Sequence, residues 1–202
     1  MSWSTGLTGQ VVAAPADHAT VVGMQSPRRE FHLFLIFACV AVYVLQQGDP
    51  DAITRFGVSR DLVFDGEIYR LFTAGFLHLD VVHLAMNMLS LYFLGRLIEP
   101  ALSARGRYAF PLLYAGSLLG GSVGVMLLEP TALAVGASGA IYGLLGAAVG
   151  IPLRRGLGWN SAGVAPWIAF NLAYSVVVPG VSLGGHLGGL VTGALVGWLL
   201  GS

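Results

Sequence analysis

Residues 184–201 read GGHLGGLVTGALVGWLLG, an apolar run with a glycine at every fourth position from Gly185 to Gly201. About 17–25 apolar residues are enough to cross the hydrocarbon core of a bilayer as an α-helix. Residues four apart share one helical face, and small residues on such a face let membrane helices approach closely. The run therefore predicts a transmembrane helix packed tightly against a neighbour, with His186 in its first turn.

The composition indicates an integral membrane protein. Of its 202 residues, 55% are hydrophobic and 10% are charged, and the mean hydropathy is +0.76. Soluble domains carry about 25% charged residues. The net charge is zero, without the basic patch that nucleic-acid binding requires. Cys39 is the single cysteine and lies in an apolar run, so no disulfide framework is present. We expect the lipid bilayer as a partner and no nucleic acid.

Six apolar stretches are long enough to span the membrane. The predicted spans are approximately residues 31–48, 80–98, 107–128, 135–153, 164–181 and 184–201. This pattern predicts an all-α polytopic membrane protein. Residues 28–202 would form its six-helix membrane domain, and the polar residues 1–27 a flexible cytoplasmic tail.

The distribution of arginine predicts the orientation, because cytoplasmic loops carry an excess of basic residues. Under a six-span topology, seven of the ten basic residues share one side of the membrane, and three lie in the long loop between the first two spans. The seven are Arg28, Arg29, Arg96, Arg105, Arg107, Arg154 and Arg155. We therefore expect a cytoplasmic amino terminus. The compact six-span form suggests a prokaryotic cell membrane.

Polar residues begin three of the predicted spans at one depth. In this topology spans two, four and six all start at the outer face. His83 and Asn87 lie at the start of span two, Ser138 at the start of span four and His186 at the start of span six. Polar groups are costly in hydrocarbon unless they pair or face water. Their shared depth therefore indicates a common hydrated site.

Ser138 and His186 form a candidate nucleophile and base. Taken singly, Ser138 could be an ordinary packing serine, and His186 could be a core histidine whose hydrogen bonds are satisfied. On closely packed helices, a neutral imidazole can take the serine proton and return it to a leaving amine. No acidic residue lies at this depth on spans four to six, so a dyad is expected. Gly136 suits a tight entry to a first helical turn, whose free N–H groups favour an oxyanion.

The residues around the dyad leave alternatives open. His83 and Asn87 share a helical face and could donate to an oxyanion. With His78 and Asp80 they could instead hold a metal, but the spacing matches no strong zinc motif and asparagine is a poor zinc ligand. Tyr142, one turn beyond Ser138, could pack against His186 or belong to the core. We predict neither a metal nor a cofactor. Asn171, alone within span five, predicts an interhelical hydrogen bond.

In order, these motifs resemble those of the rhomboid family of intramembrane serine proteases. The matching segments are Tyr69-Arg70, HLDVVHLAMN at residues 78–87, GASGAIY at residues 136–142 and GHLGG at residues 185–189. The likeness covers about residues 31–201. It implies a six-transmembrane-helix rhomboid-like bundle that cleaves transmembrane proteins.

The resemblance also assigns roles to residues. Ser138 would be the nucleophile and His186 the general base, with Tyr142 stacked under the imidazole. His83 and Asn87, together with the Ser138 backbone N–H, would form the oxyanion hole.

Outside the dyad, His78 would hold the first loop and Arg70 would anchor it, although Tyr69 stands where the family usually has tryptophan. Glu99 resembles a family glutamate just after span two.

Three functions remain to be compared. The first is an intramembrane endopeptidase that cuts near the outer face, with residues 178–184 and span five as the gate for substrate entry. The second is a non-catalytic rhomboid-like protein that binds membrane helices. Such a protein would have no chemical need for an intact Ser138 and His186, which argues against it. The third is a small transporter, a class that often shows internal repeats. We find no convincing repeat between the two halves.

Overall fold

The computed structural model describes residues 30–178 and 180–201. The predicted tail at residues 1–27, together with Arg28, Arg29, Pro179 and Ser202, lies outside the described residues. The described ranges form nine α-helices and two short 3-10 helices, and they contain no β-strand. The α-helices are α1 (Phe31–Gln46), α2 (Ala52–Phe56), α3 (Arg60–Phe64), α4 (Arg70–Thr73), α5 (Val81–Ala101), α6 (Ala109–Leu128), α7 (Ser138–Arg154), α8 (Ala165–Val177) and α9 (Leu183–Leu200).

Helix length separates the six longer helices into two groups. In the described part of the chain, α5, α6 and α9 are long and apolar enough to cross a membrane, with 21, 20 and 18 residues. Helices α1, α7 and α8 are shorter, with 16, 17 and 13 residues. The predicted fifth span was too long. Proline disfavours the helical conformation in the residue before it, and Val178, which precedes Pro179 in the sequence, is extended. The all-helical class is confirmed, whereas the count of six spans stays a prediction.

Helix α7 lies at the centre of the bundle. Almost every residue from Gly139 to Ile151 is buried. Helix α9 packs along it more extensively than any other helix, and α6 packs against both. The core thus surrounds the helix that begins with Ser138.

Glycine contacts show that α7 and α9 run parallel. A Cβ added to Gly189 would meet the carbonyl oxygen of Gly139, and one added to Gly197 would lie 2.7 Å from the Cα of Ala147. The contacts advance along both helices in the same direction. Both helices therefore begin on the same side of the bundle, as the predicted topology requires.

Helix α6 runs in the opposite direction to α9. A Cβ on Gly184 would lie 2.6 Å from the Gly124 carbonyl oxygen, and one on Gly120 would lie 3.0 Å from the Gly188 carbonyl oxygen. Here the residue numbers of the partners change in opposite senses. Three helices thus meet backbone to backbone, because glycine removes the side chains that would hold them apart.

The first loop folds around the guanidinium of Arg70, which is only 4% exposed. Its Nη1 donates hydrogen bonds of 2.8 Å to the carbonyl oxygens of Thr54 and Gly57, and its Nε donates to Glu67 Oε2 at 2.7 Å. The Tyr69 hydroxyl donates to the same carboxylate at 2.6 Å. Arg70 therefore joins α2 to α4, and Tyr69 supplies a polar contact to the loop.

Glu99 joins the end of α5 to the beginning of α1. Its Oε1 accepts a hydrogen bond from the Phe31 backbone N–H at 2.7 Å, and its Oε2 lies 2.7 Å from Nδ1 of the buried His32. The carboxylate satisfies donors that the first turn of a helix leaves unpaired.

Candidate active site

Ser138 is the first residue of α7 and is half-buried. The chain enters this helix through Gly136, whose φ of +123° is a conformation that residues with a side chain rarely adopt. The Gly136 N–H donates to the Ala74 carbonyl oxygen at 2.9 Å, which ties the entry to the first loop. The position at the start of α7 leaves the Ser138 backbone N–H without an intrahelical acceptor.

His186 lies in the first turn of α9, and polar contacts fix that turn. The Ser182 hydroxyl accepts from the Gly185 N–H at 2.9 Å and donates to Glu129 Oε2 at 2.6 Å. Glu129 Oε1 accepts from the Gly184 N–H at 2.9 Å. A carboxylate is favourable at the positive end of a helix dipole. Glu129, which follows α6, thus holds the helix end that carries His186.

The His186 ring is held on its face and at one nitrogen. It is only 6% exposed and stacks on the Tyr142 ring, with centroids 3.8 Å apart and planes 11° from parallel. Its Nδ1 lies 2.6 Å from the Ser175 hydroxyl of α8. Tyr142 is one turn beyond Ser138 on α7, so the stacking places the imidazole over the helix that begins with Ser138.

The first turns of α7 and α9 contact each other beside Ser138. A Cβ on Gly139 would lie 3.4 Å from the Gly185 carbonyl oxygen. The Ser138 hydroxyl makes no hydrogen bond to any described residue, so no direct bond to His186 is formed. Such bonds are often long in free hydrolases and tighten when substrate binds. The arrangement therefore remains compatible with a Ser138–His186 dyad.

Two hydrogen-bond donors face the entry to α7. The Leu79 backbone N–H donates to His83 Nδ1 at 3.4 Å, which favours the tautomer with the ring hydrogen on Nε2. A Cβ on Gly136 would lie 2.8 Å from His83 Nε2 and 3.7 Å from Asn87 Nδ2. Asn87 is buried, and its Nδ2 has no hydrogen-bond partner among the described residues. Both donors are therefore available to a ligand near Gly136.

His78 supports the segment that leads to these donors. It is fully buried, and the Gln46 side chain bonds to both its backbone carbonyl and its backbone N–H, at 2.6 and 3.2 Å. Its ring packs edge-on against His83, with centroids 5.2 Å apart. In residues 30–178 and 180–201, no three His, Cys, Asp or Glu side chains are arranged to hold a metal ion.

A small cavity of about 30 Å³ lies beside Ser138. A single water molecule needs roughly 10–15 Å³ of such volume, so the cavity has room for about two. The first loop, α6 and the first turns of α7 and α9 form its walls. Its lining includes Val58, Ala74, Ser122, Gly136 and Gly185.

Comparison with known proteins gives the family. The family model of the rhomboid domain matches residues 65–202. The chain belongs to the rhomboid family. This rhomboid is 31% identical to rhomboid protease GluP of Bacillus subtilis (strain 168) over 166 residues, which cover 77% of the chain and 31% of GluP.

Two further relatives show the range of the similarity. RHOMBOID-like protein 1 of Arabidopsis thaliana is 44% identical over 86 residues, covering 43% of this rhomboid and 21% of the plant protein. Rhomboid protease GlpG of Salmonella typhi is 28% identical over 166 residues, covering 74% of this rhomboid and 59% of GlpG. The aligned part is therefore less than two thirds of each of these relatives.

Some residues that shape the site of this rhomboid were not predicted. Ser182 precedes an apolar run, a recognisable helix-start signal, and Glu129 is a lone acid after span three. Ser175 lies in an ordinary apolar run, and nothing in the sequence around it indicates its partner. The prediction for Asn171 was wrong, because its Nδ2 donates to the Trp167 carbonyl oxygen within α8 at 2.8 Å.

Proposed function

We propose that this rhomboid is an intramembrane serine endopeptidase that cleaves transmembrane proteins near the outer membrane face through a Ser138–His186 dyad. The stacking of His186 on Tyr142, one turn beyond Ser138, is the observation that carries the proposal. The free donors of His83 and Asn87 near Gly136 add to it. The relatives GluP and GlpG are rhomboid proteases, which also favours a protease.

The proposed reaction begins when the Ser138 hydroxyl attacks the substrate carbonyl carbon and His186 Nε2 takes its proton. The resulting oxyanion accepts hydrogen bonds from the Ser138 backbone N–H, His83 Nε2 and Asn87 Nδ2. Protonated His186 then donates to the leaving amine, and the acyl-enzyme forms. A water molecule from the cavity attacks the ester while His186 acts again as the base, and the second product leaves.

The proposed substrate is a transmembrane segment that unwinds near the outer face. A stable helix hides its carbonyl groups in hydrogen bonds, so residues that weaken the helix are expected at the cut. The small cavity beside Ser138 favours a small side chain there. The proposal also includes six spans and a cytoplasmic amino terminus. The substrate would enter laterally past α8, whose residues other than Ser175 are not buried.

Labelling with a fluorophosphonate probe tests the proposal. The protein in detergent or bilayers should be captured covalently, and Ser138→Ala should remove all labelling. Ser117→Ala is the control, because it removes a hydroxyl from a different helical serine, which is fully buried and whose hydroxyl has no hydrogen-bond partner among the described residues. If the folded wild-type protein resists labelling and leaves transmembrane substrates uncut, the proposal fails and a helix-binding role is favoured.

A further inference from the structure

Ser175 is the only buried residue of α8 and makes polar contacts with the base. Its hydroxyl oxygen lies 2.6 Å from His186 Nδ1, 2.8 Å from the Asn171 carbonyl oxygen and 3.3 Å from the Tyr142 hydroxyl. The neighbouring side chains of α8 are half-buried or exposed. The helix thus inserts one polar side chain into the bundle, and that side chain meets the imidazole.

The partners of Ser175 determine which hydrogen bonds are possible. A hydroxyl has one hydrogen, and a backbone carbonyl can only accept. When the Ser175 hydroxyl donates to Asn171 O, its oxygen is left as an acceptor for His186 Nδ1–H. A neutral imidazole with its hydrogen on Nδ1 has an unprotonated Nε2. That is the form in which His186 can take a proton from Ser138.

We propose that Ser175 is a positioning residue that fixes the Nδ1–H tautomer and the rotation of the His186 ring, a role that rests on the proposed dyad. Tyr142 restrains the ring plane by stacking, but stacking does not distinguish the two nitrogens. The hydroxyl of Ser175 supplies that distinction. In a serine triad a carboxylate performs this task, and a neutral hydroxyl does it without placing a charge inside the membrane.

The location of Ser175 links this role to α8. A movement of α8 away from the bundle carries the hydroxyl away from His186, because Ser175 is fixed to that helix. The base is therefore oriented when α8 is docked and released when α8 moves outward. A substrate that enters past α8 would be cut only after the helix returns.

Kinetics of Ser175 variants test the proposal. Ser175→Ala should lower kcat for a transmembrane substrate by about 10- to 100-fold, less than the loss of the general base itself, and leave KM nearly unchanged. Ser175→Thr keeps a hydroxyl and should recover most of the rate. Ser117→Ala removes a hydroxyl from another buried helical serine and should behave as wild type. Thermal unfolding of each variant separates a kinetic effect from a folding defect.

Nitrogen-15 NMR of histidine-labelled protein gives a direct readout on the wild type, with the His186 signals assigned by their loss in His186→Ala. Neutral His186 should carry its hydrogen on Nδ1, and Ser175→Ala should show a mixture of tautomers. A wild-type hydrogen on Nε2, or a Ser175→Ala variant as fast as wild type, overturns the proposal and leaves the dyad intact. A folded wild-type protein that resists the fluorophosphonate probe instead removes the dyad, and the role of Ser175 with it.

Discussion

Gly193 of α9 lies directly against the carbonyl group of Gly143 of α7, so closely that a Cβ on Gly193 would overlap it. This pair lies within the parallel register that also places Gly189 against Gly139. Since both helices are rigid, the register sets the relative height of their first turns. The contact of two glycines in the middle of the bundle thereby helps to set the relative height of Ser138 and His186.

A methyl group at this contact should separate the helices. We expect Gly193→Ala to lower the free energy of unfolding by about 1–3 kcal/mol, the usual cost of overpacking, and to reduce cleavage as the first turns shift. Gly116→Ala on α6 is the control, because its Cβ would meet only Val196 at 3.9 Å. Unfolding titrations in mixed micelles measure both. Equal stability of the two variants would contradict the role of the contact.

Removal of the Asn87 amide should slow the chemical step. Asn87→Ala is expected to lower kcat by about 100- to 1,000-fold with little change in KM, since an oxyanion donor acts mainly in the transition state. The control is Asn171→Ala, which removes an amide whose one hydrogen bond to the described residues goes to the Trp167 carbonyl oxygen of its own helix. Steady-state cleavage of a transmembrane substrate provides the measurement. A loss confined to KM would assign Asn87 to substrate binding instead.

Acid should abolish the proposed activity through His186. Protonated imidazole cannot accept the Ser138 proton, so kcat/KM should fall as the pH decreases and His186 becomes charged. Activity is recorded between about pH 8 and pH 4, which brackets the ordinary pKa of histidine. Circular dichroism at each pH shows whether the fold persists. A flat profile in folded protein across the pH range in which nitrogen-15 NMR shows His186 becoming charged would rule out a histidine base.

A covalent tether between α5 and α8 should block the entry of large substrates and leave the reaction with small probes unchanged. Cysteine pairs drawn from exposed positions on α5 (Val82, Met86) and α8 (Phe170, Tyr174) are oxidised, and cross-linking is read on gels. Cleavage of a transmembrane protein should be suppressed, while labelling by the small fluorophosphonate probe continues. Reduction should restore cleavage. Undiminished cleavage in fully cross-linked protein would exclude entry between these helices.

Glu67 should make the first loop sensitive to acid. Hydrogen bonds from Tyr69 and Arg70 lower the pKa of the Glu67 carboxyl below its ordinary value of 4.5. Ionised Glu67 therefore stabilises the folded loop above that value, and this contribution is lost as the pH falls through the folded-state pKa. Hydrogen exchange over residues 52–76 should increase on acidification in wild type.

Glu67→Gln should increase exchange over the same loop already at neutral pH and remove most of its pH dependence. Asp65→Asn removes an exposed carboxylate that makes no hydrogen bond to the described residues, and it should match wild type. If Glu67→Gln retains the wild-type response to acid, another group controls the loop.

The sequence was sufficient to predict those features of the fold that depend on local chemistry. Apolar length predicts helices, and glycine at every fourth position predicts close packing, independently of the neighbours. The order of the spans predicted that α7 and α9 begin on one side, and their glycine contacts agree. The sequence also singled out four candidate site residues, because polar residues at one depth in a membrane are costly unless they pair or face water. These are Ser138, His186, His83 and Asn87.

Only the tertiary structure showed which group contacts Nδ1 of His186 and what holds the end of α9. Ser175 and Glu129 reach their partners across helix interfaces, through side chains whose directions depend on packing between distant segments. Hydrophobic periodicity carries no information about such contacts, since one apolar pattern permits many rotations of a short helix such as α8. The sequence thus determined which chemistry is available, and the packing of the helices decided how the imidazole is held.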